Sequence, residues 1–409
     1  VKRDLIIIGG GAAGLVSGII ASRGGKSVVI LEKGKKVAKK LYASGNGKCN
    51  IGNAKVDKDN YFCNDKEFID TILTNVKLEN IYQFFHSIGL EIIKGDNDNR
   101  LFPMAKSASV VVELLLCELK RYNVTIEYEQ NIISFKKSKQ RYEVITDTKK
   151  YISKHLIIAT GSPASPNLGG NSNMLNILLD MGYDITPPLP ALVPLKSSFK
   201  WLKSLAGLKI DAKSTAYIDG VESISIRGDL LFTEYGVSGL AILDISLYIT
   251  KALSEYSYIK LSIDLLPNYS KKQLFNILQN RIDKNRNLTI DIWLKGVLHP
   301  KLANVISHLV SKEVLNESNL NRKLLNRIVY QIKHFDIDIE DTRGFKYAEV
   351  AIGGIKTYQI DPKNMESKID KDLYFCGEIV DITGKRGGYN LHFAWCSAIV
   401  ASSHIAKKC

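Results

Sequence analysis

The run Leu5-Ile6-Ile7-Ile8-Gly9-Gly10-Gly11-Ala12-Ala13-Gly14 decides how this chain is read, because an apolar strand passes straight into a glycine turn and a helix start. A second apolar strand, Ser27 to Leu31, follows that helix and ends at Glu32. Each glycine of the Gly-x-Gly-x-x-Gly pattern has its own task. Gly9 makes the tight turn, Gly11 lets backbone approach a pyrophosphate, and Gly14 lets the helix pack close to the strand. The amide N–H groups that open the helix, with the positive end of its dipole, can face the phosphates without help from a basic side chain. Glu32 can accept from both ribose hydroxyls, and its charge repels a 2'-phosphate, which selects FAD or NAD over NADP. The sequence therefore predicts a dinucleotide-binding α/β domain at the start of the chain.

At 409 residues the chain is too long for one ordinary core, so two or three structural units are expected. Hydrophobic residues at 45% and charged residues at 24% belong to an ordinary soluble globular protein. No apolar run reaches the span of a bilayer and the first residues enter a strand at once, so a cytoplasmic protein without a membrane partner is expected. Cys49, Cys63, Cys117, Cys376, Cys396 and Cys409 are scattered without paired spacing, which argues against a disulfide scaffold, a metal site and dithiol chemistry. Cys49 reads as a small residue packed in a tight loop. The net charge of +14 includes a dense basic run, Lys33 to Lys40. A solvated surface is its simpler reading and a phosphate or nucleic-acid partner the alternative.

Outward from the fingerprint, a polar glycine loop, Ser44-Gly45-Asn46-Gly47-Lys48-Cys49-Asn50, lets backbone amides approach a ligand. Apolar spacing predicts helices near 66–76, 78–88 and 107–121, with a turn from Gly95 to Asn99 before Arg100-Leu101-Phe102-Pro103. The pattern then alternates through 124–130, 132–137, 141–147 and 155–159: a strand, a small meander and a return to the parent sheet. That return ends at Ala159-Thr160-Gly161, and prolines cluster from Pro163 to Pro194, as at a crossing between domains. Residues 1–188 and 345–409 are expected to flank an insert at 189–344, with a β part at 189–265 and a helical part at 270–335. Near the end, Leu373-Tyr374-Phe375-Cys376-Gly377-Glu378 repeats the strand-then-glycine logic, and a terminal helix is expected at about Leu391 to Ala406.

Taken together these segments resemble the FAD-binding flavoproteins of the BaiN, YhiN and aminoacetone oxidase family, over nearly the whole chain. The resemblance is carried by the first fingerprint, Lys40-Leu41 with the Ser44–Asn50 loop, Arg100–Pro103 with Ser109, Ala159-Thr160-Gly161, and Pro190–Leu195. It continues through Leu231-Phe232-Thr233, Tyr235-Gly236, Ser238-Gly239, Gly353-Gly354, Met365-Glu366-Ser367-Lys368, Gly377-Glu378 with Asp381, and Gly387–Leu391. It implies that the two flanks, 1–188 and 345–409, form one glutathione reductase-like FAD-binding Rossmann domain with an inserted β-barrel-like and helical region. By position, Gly9, Gly11, Ala13 and Gly14 would hold the pyrophosphate, and Glu32 and Lys33 would lie at the adenosine ribose. Lys40, Ser44, Gly45, Asn46, Gly47 and Asn50 would line the middle of the FAD, a backbone contact near Ile133 would fix the adenine, and Thr160 and Gly161 would lie beside the cofactor. Gly377 and Glu378 would meet the ribityl chain, and Gly388, Asn390 and Leu391 the ring. The chain departs from the family at Asn46, Lys48, Glu234, Leu240 and His392, where glycine, arginine, histidine, proline and glutamine are common.

A flavin site carries hydride or electron transfer, with the protein supplying orientation and electrostatics. The expected activity is an FAD-dependent oxidoreductase working between a small metabolite or NAD(P)H and an acceptor. The alternatives are an FAD protein that binds or modifies RNA and a flavin-binding protein with a regulatory role. With one fingerprint only, any NAD(P)H would bind transiently at the flavin face. Lys48, Tyr389 and His392 are the catalytic candidates, each with a duller reading: a phosphate partner, a stacking wall and a core histidine with its hydrogen bonds met. Lys385 and Arg386 could recruit an anionic group or be a solvated loop. The sequence sets no oligomeric state.

Overall fold

Leu5–Ile8 and Val28–Leu31 are buried on both faces, as strands in the middle of a covered parallel sheet must be. Lys2–Ile8 lies at the centre, paired in parallel with Val28–Leu31 on one side and Lys150–Ile158 on the other. Thr125–Glu127 extends the sheet beyond Val28–Leu31. On the far side the long strand Lys150–Ile158 is shared: its first half pairs antiparallel with Arg141–Thr146 and its last residues pair in parallel with Leu373–Phe375. Ile132–Ser138 completes the meander against Arg141–Thr146, with a register irregularity between Ile132 and Ser134. This computed structural model describes residues 1–95, 99–282, 287–311 and 319–408. The centre of the expected turn at 95–99, parts of the expected helical stretch and Cys409 lie outside the described residues.

Helix Ala12–Arg23 covers the sheet and packs along the last helix, Tyr389–Lys407. The two come close enough that a Cβ on Gly24 would sit 2.5 Å from Cβ of Ala406. Helices at Lys66–Asn75, Leu78–Ser87 and Ala108–Arg121 follow the apolar spacing, the first capped by the Asp65 side chain on the N–H groups of Glu67 and Phe68. Trp395, fully buried on the last helix, ties this layer together. Its indole donates to the Ile51 carbonyl at 2.8 Å and its ring meets Phe85 edge-on at 5.3 Å.

By compactness the chain divides into Val1–Leu189 with Glu349–Cys409, and Pro190–Ala348. The second unit is built on a seven-stranded sheet in the order Phe335–Ile339, Ile259–Asp264, Lys209–Ile218, Val221–Thr233, Gly236–Ser238, Leu195–Lys196, Asp341–Thr342. Its two edge strands are neighbours in sequence, separated by Glu340, so the sheet must curl round on itself to place them at opposite ends of the order. Helices Lys271–Asn280, Ile290–Leu294, Pro300–Val310 and Arg322–Lys333 bury Leu278, Leu294, Ile306 and Ile328 in the core of this unit. One expectation is corrected. The stretch 189–265 is not β-like throughout, because Leu240–Ser254 is a helix of 15 residues that buries Ile242, Ile245 and Ile249. Its Ile residues and Thr250 favour strands locally, but their spacing of three and four places them on one helix face.

Removing the indole of Trp395 leaves a large cavity and an unpaired carbonyl at Ile51. Trp395→Ala should cost roughly 3–5 kcal/mol, read as a lower urea midpoint, with Trp395→Phe costing clearly less.

Candidate functional site

Parallel strands present their carboxyl ends on one edge of the sheet, and four separate stretches of sequence meet there. The N–H of Gly9 donates to Leu31 at 2.9 Å, that of Ala159 to Ile8 at 2.8 Å and that of Cys376 to Ile158 at 3.0 Å, so Gly9, Glu32, Ala159–Gly161 and Gly377–Glu378 lie along a single rim. Two of the fingerprint glycines are compelled by space. At Gly14 a Cβ would stand 1.9 Å from the carbonyl oxygen of Gly9, and at Gly9, whose φ is +108°, it would stand 2.4 Å from the carbonyl oxygen of Ala159. At Gly11 a Cβ would meet nothing within 4 Å, so the space above the helix start is open. Gly11 is the N-cap of helix Ala12–Arg23 and no side chain caps it, which leaves the amides of the first turn for an outside acceptor.

Glu32 is held rigidly. Its Oε2 accepts from the Gly10 N–H at 2.9 Å and its Oε1 from the Gly34 N–H at 2.7 Å. A carboxylate has about four acceptor positions, so both oxygens retain capacity for hydroxyl donors. Lys33 beside it is exposed, while Lys40 reaches across to Glu378 at 3.0 Å and joins the two ends of the chain. Ile133 stands on the irregular part of its strand, 57% exposed, which leaves backbone rather than a buried side chain to offer there. The Thr160 hydroxyl is buried without a hydrogen-bond partner, and at Gly161 a Cβ would meet only Oε2 of Glu378, at 3.8 Å.

The glycine loop is tied to the last helix. Gly45 and Asn46 adopt left-handed conformations, with φ of 58° and 54°, which turns the chain sharply while Gly45–Lys48 stay exposed and the Ser44 hydroxyl donates to Leu41 at 2.7 Å. The Asn50 amide donates to the carbonyls of Gly52 and Leu101 and accepts from the Gly388 N–H at 3.0 Å. A Cβ on Gly388 would collide with the Gly52 carbonyl at 2.4 Å, and Asn53 donates to Gly387 at 3.0 Å. Gly388, at φ 100°, is the N-cap of Tyr389–Lys407, again with no side-chain cap. The Asn390 amide is engaged elsewhere: it accepts from the Gly384 N–H at 2.7 Å and donates to the Gly384 carbonyl at 2.8 Å, clamping the 384–390 turn. Leu391 is half-buried beside it.

The three catalytic candidates differ in setting. Lys48 is exposed on the loop. Tyr389 is half-buried, its carbonyl accepts from the Tyr61 hydroxyl at 3.1 Å, and burial pushes its phenol up, so it stays protonated at neutral pH. His392 is 1% exposed and burial pushes it down to about 4, so the ring is neutral. The duller reading of His392 is corrected in one respect: its Nδ1 has no hydrogen-bond partner and faces Gly52, where a Cβ would sit 3.1 Å away. Cys49 is a packed thiol, pushed up to about 12 by burial. Among the described residues no group of His, Cys, Asp or Glu could hold a metal ion.

The sequence reading passed over three residues that position this site. The Ser397 hydroxyl accepts from the Gly377 N–H at 3.0 Å, Asn53 fixes Gly387, and Trp395 fixes Ile51. Ser397 and Trp395 sit in an apolar helical run, where nothing in the local pattern separates a clamp from core packing.

A dinucleotide fits this arrangement because both uncapped helix starts and the rigid Glu32 belong to one unit. They are linked through Gly377, whose Cβ would lie 3.2 Å from Cβ of Ala13 and 3.8 Å from Cβ of Ala394. The fold is the Rossmann-type FAD-binding α/β fold, and the protein is an FAD-dependent oxidoreductase. Residues 3–404 match the family described as HI0933-like protein Rossmann domain, and the chain belongs to that family. It is 32% identical over 407 residues to a 3-dehydro-bile acid delta(4,6)-reductase of Clostridium scindens, covering 98% of each chain. It is 31% identical over 411 residues to a ribosomal RNA dihydrouridine synthase of Haemophilus influenzae, again covering 98% of each. Among solved structures, 3-ketosteroid delta1-dehydrogenase of Sterolibacterium denitrificans shares the fold at a TM-score of 0.51 with 11% identity, over 99% of each chain. No helix among the described residues is long and apolar enough to cross a membrane.

Gly14→Ala should force the helix off the strand end and yield protein with little bound flavin, measured by the ratio of absorbance near 450 nm to that at 280 nm. The buried histidine sets a pH dependence. Because the folded His392 titrates near 4 and an unfolded one near 6.5, the unfolded chain binds the extra proton between those values. Stability is then full above about pH 6.5 and falls as pH drops towards 4, by roughly 3 kcal/mol. His155, also pushed down to about 4 by burial against the opposing pull of Asp372, acts in the same window. His392→Gln should flatten the slope of Tm between pH 6.5 and 4 without removing it.

Proposed function

We propose that this protein holds FAD along the carboxyl edge of its parallel sheet and reduces a conjugated carbon–carbon double bond in a small cyclic substrate at the expense of NAD(P)H. The observation that carries the reading is the pair of glycine-capped helix starts, Gly11 and Gly388, neither closed by a side chain. One suits the pyrophosphate and the other the ring, where negative charge develops on reduction. In this reading Gly9, Gly11, Ala13 and Gly14 hold the pyrophosphate, Glu32 and Lys33 border the adenosine ribose, and backbone near Ile133 meets the adenine. Lys40, Ser44–Gly47, Asn50, Thr160, Gly161, Gly377 and Glu378 line the middle, and Gly388, Asn390 and Leu391 border the ring. Bound FAD supplies two-electron redox chemistry by hydride exchange at the ring.

The chain's own residues have narrower tasks. Asn390 holds the 384–390 turn, so that the first amides of the last helix keep one direction. Asn50 locks Gly388 to the glycine loop. In this reading Tyr389, which stays protonated at neutral pH, gives its proton to the α-carbon of the substrate and regains one from water. The overall change then balances: a hydride from the nicotinamide to one carbon, a proton to the other, and oxidised nicotinamide released. With one dinucleotide fingerprint in the chain, NAD(P)H visits the flavin face rather than a domain of its own. The reductase and dihydrouridine synthase names of the two relatives both describe the saturation of a ring double bond, which supports the reaction class.

A second reading, favoured by the net charge of +14, takes the double bond to be that of a uridine in RNA. Anaerobic stopped-flow mixing with NADH and NADPH, followed by a conjugated ketosteroid or a uridine-containing ribosomal RNA fragment, tests both. Bleaching of the yellow protein by the nicotinamide and recovery of colour with the steroid is the expected result. Recovery with RNA alone selects the second reading, and a protein that neither nicotinamide bleaches overturns the donor assignment. Tyr389→Phe should keep FAD and the bleaching step but slow recovery about 10²-fold or more. Asn390→Ala, which frees the turn, should lower the flavin midpoint potential.

A further inference from the structure

Helix Arg322–Lys333 in the unit Pro190–Ala348 has two unlike faces. Leu324, Leu325, Ile328, Val329 and Ile332 are buried, while Arg322, Lys323, Asn326, Arg327 and Tyr330 are exposed. The exposed residues and Gln331 line an open groove of about 660 Å³. Helix Lys271–Asn280 packs against this helix and brings Lys271 to 6.0 Å from the Tyr330 ring. Neither helix contains an aspartate or glutamate. Among the described residues no carboxylate pairs with Arg322, Lys323 or Arg327, whereas Lys333 at the helix end is neutralised by Asp264 at 2.5 Å. Tyr330 is 53% exposed and its ring lies 4.8 Å from that of His334. His334 is held towards the neutral form by burial and then by the charge of Lys271.

A groove with guanidinium and ammonium groups that no carboxylate among the described residues pairs, and with a half-exposed aromatic ring, offers two contacts that single-stranded nucleic acid uses together: phosphate neutralisation and base stacking. A small anion or an acidic protein would need only the charges, whereas the exposed Tyr330 ring beside them is the contact that a nucleic-acid base adds. The net charge of +14 does not explain the patch by itself, because on other surfaces the basic residues alternate with carboxylates, as in the pairs Lys196–Asp341 and Lys209–Asp229 of the same unit. We propose that the Arg322–Gln331 groove is a docking surface for single-stranded RNA, with Arg322, Lys323, Arg327 and Lys271 on phosphates and Tyr330 under a base. This rests on the second, RNA reading of the acceptor and adds to it a surface that takes hold of the strand.

The test is fluorescence anisotropy of the FAD-loaded full chain with a labelled uridine-containing single-stranded RNA across a salt series. For the parent protein, affinity should fall steeply with salt. The double variant Arg322→Gln, Arg327→Gln should bind about tenfold more weakly at low salt and lose about one unit of the log–log salt slope per contact removed. Tyr330→Ala should weaken binding while leaving the slope unchanged, a split that a merely structural role would not produce. Lys136→Gln with Lys139→Gln, a charge-matched exposed pair on a strand of the other unit and in the turn that follows it, should change the affinity by less than about twofold. Flavin content and Tm of all variants verify that they fold. Parent binding that survives the double variant and Tyr330→Ala overturns the surface and leaves the RNA reading standing. A parent protein that does not bind RNA even at low salt overturns both.

Discussion

The approach of one backbone to another at the first turn is the constraint on which the rest depends. The Gly9 carbonyl stands where a Cβ of residue 14 would be, and the Ala159 carbonyl where a Cβ of residue 9 would be. Because these contacts admit no side chain, the first helix begins at the strand end and points its open amides over the rim of the sheet. Everything that arrives later in the chain is fitted to that start. Gly377 lies against Ala13, its N–H is taken up by Ser397, and the last helix packs along the first as far as Ala406 beside Gly24.

Glu32 shows how one residue can shape a turn and remain available. Its oxygens accept from the N–H groups of Gly10 and Gly34, which satisfies two donors that the glycine turn would otherwise leave to water. The carboxylate is thereby fixed in direction before any ligand arrives, so little ordering remains to be done on binding. The same economy governs the other end of the site. Asn50 and Asn390 spend their amides on the backbone of Gly52, Leu101, Gly388 and Gly384, and the groups left facing outward are main-chain amides.

This division explains what could be read from the sequence. Strand, glycine and helix starts were legible because their requirements are backbone requirements, and only glycine meets them at residues 9 and 14. The parallel sheet followed from apolar runs that end at glycine, as Ile158 and Phe375 do before Gly161 and Gly377. Helix Leu240–Ser254 was missed because a β-branched run reads as strand until its tertiary neighbours are known. The unpartnered Nδ1 of His392 was equally hidden, since its place against Gly52 depends on two segments far apart in the chain.

Selectivity for an acceptor draws on a different kind of residue from the cofactor rim. A pyrophosphate can be met by amides common to every residue type, so its site survives large drift in sequence. An acceptor must be met by side chains, which the backbone pattern of strand, glycine and helix does not single out. A uniformly basic composition would not distinguish one surface from another, but a helix such as Arg322–Lys333, which carries no carboxylate of its own, does, because attraction for a polyanion depends on the local sum of charges within about a Debye length rather than on the total.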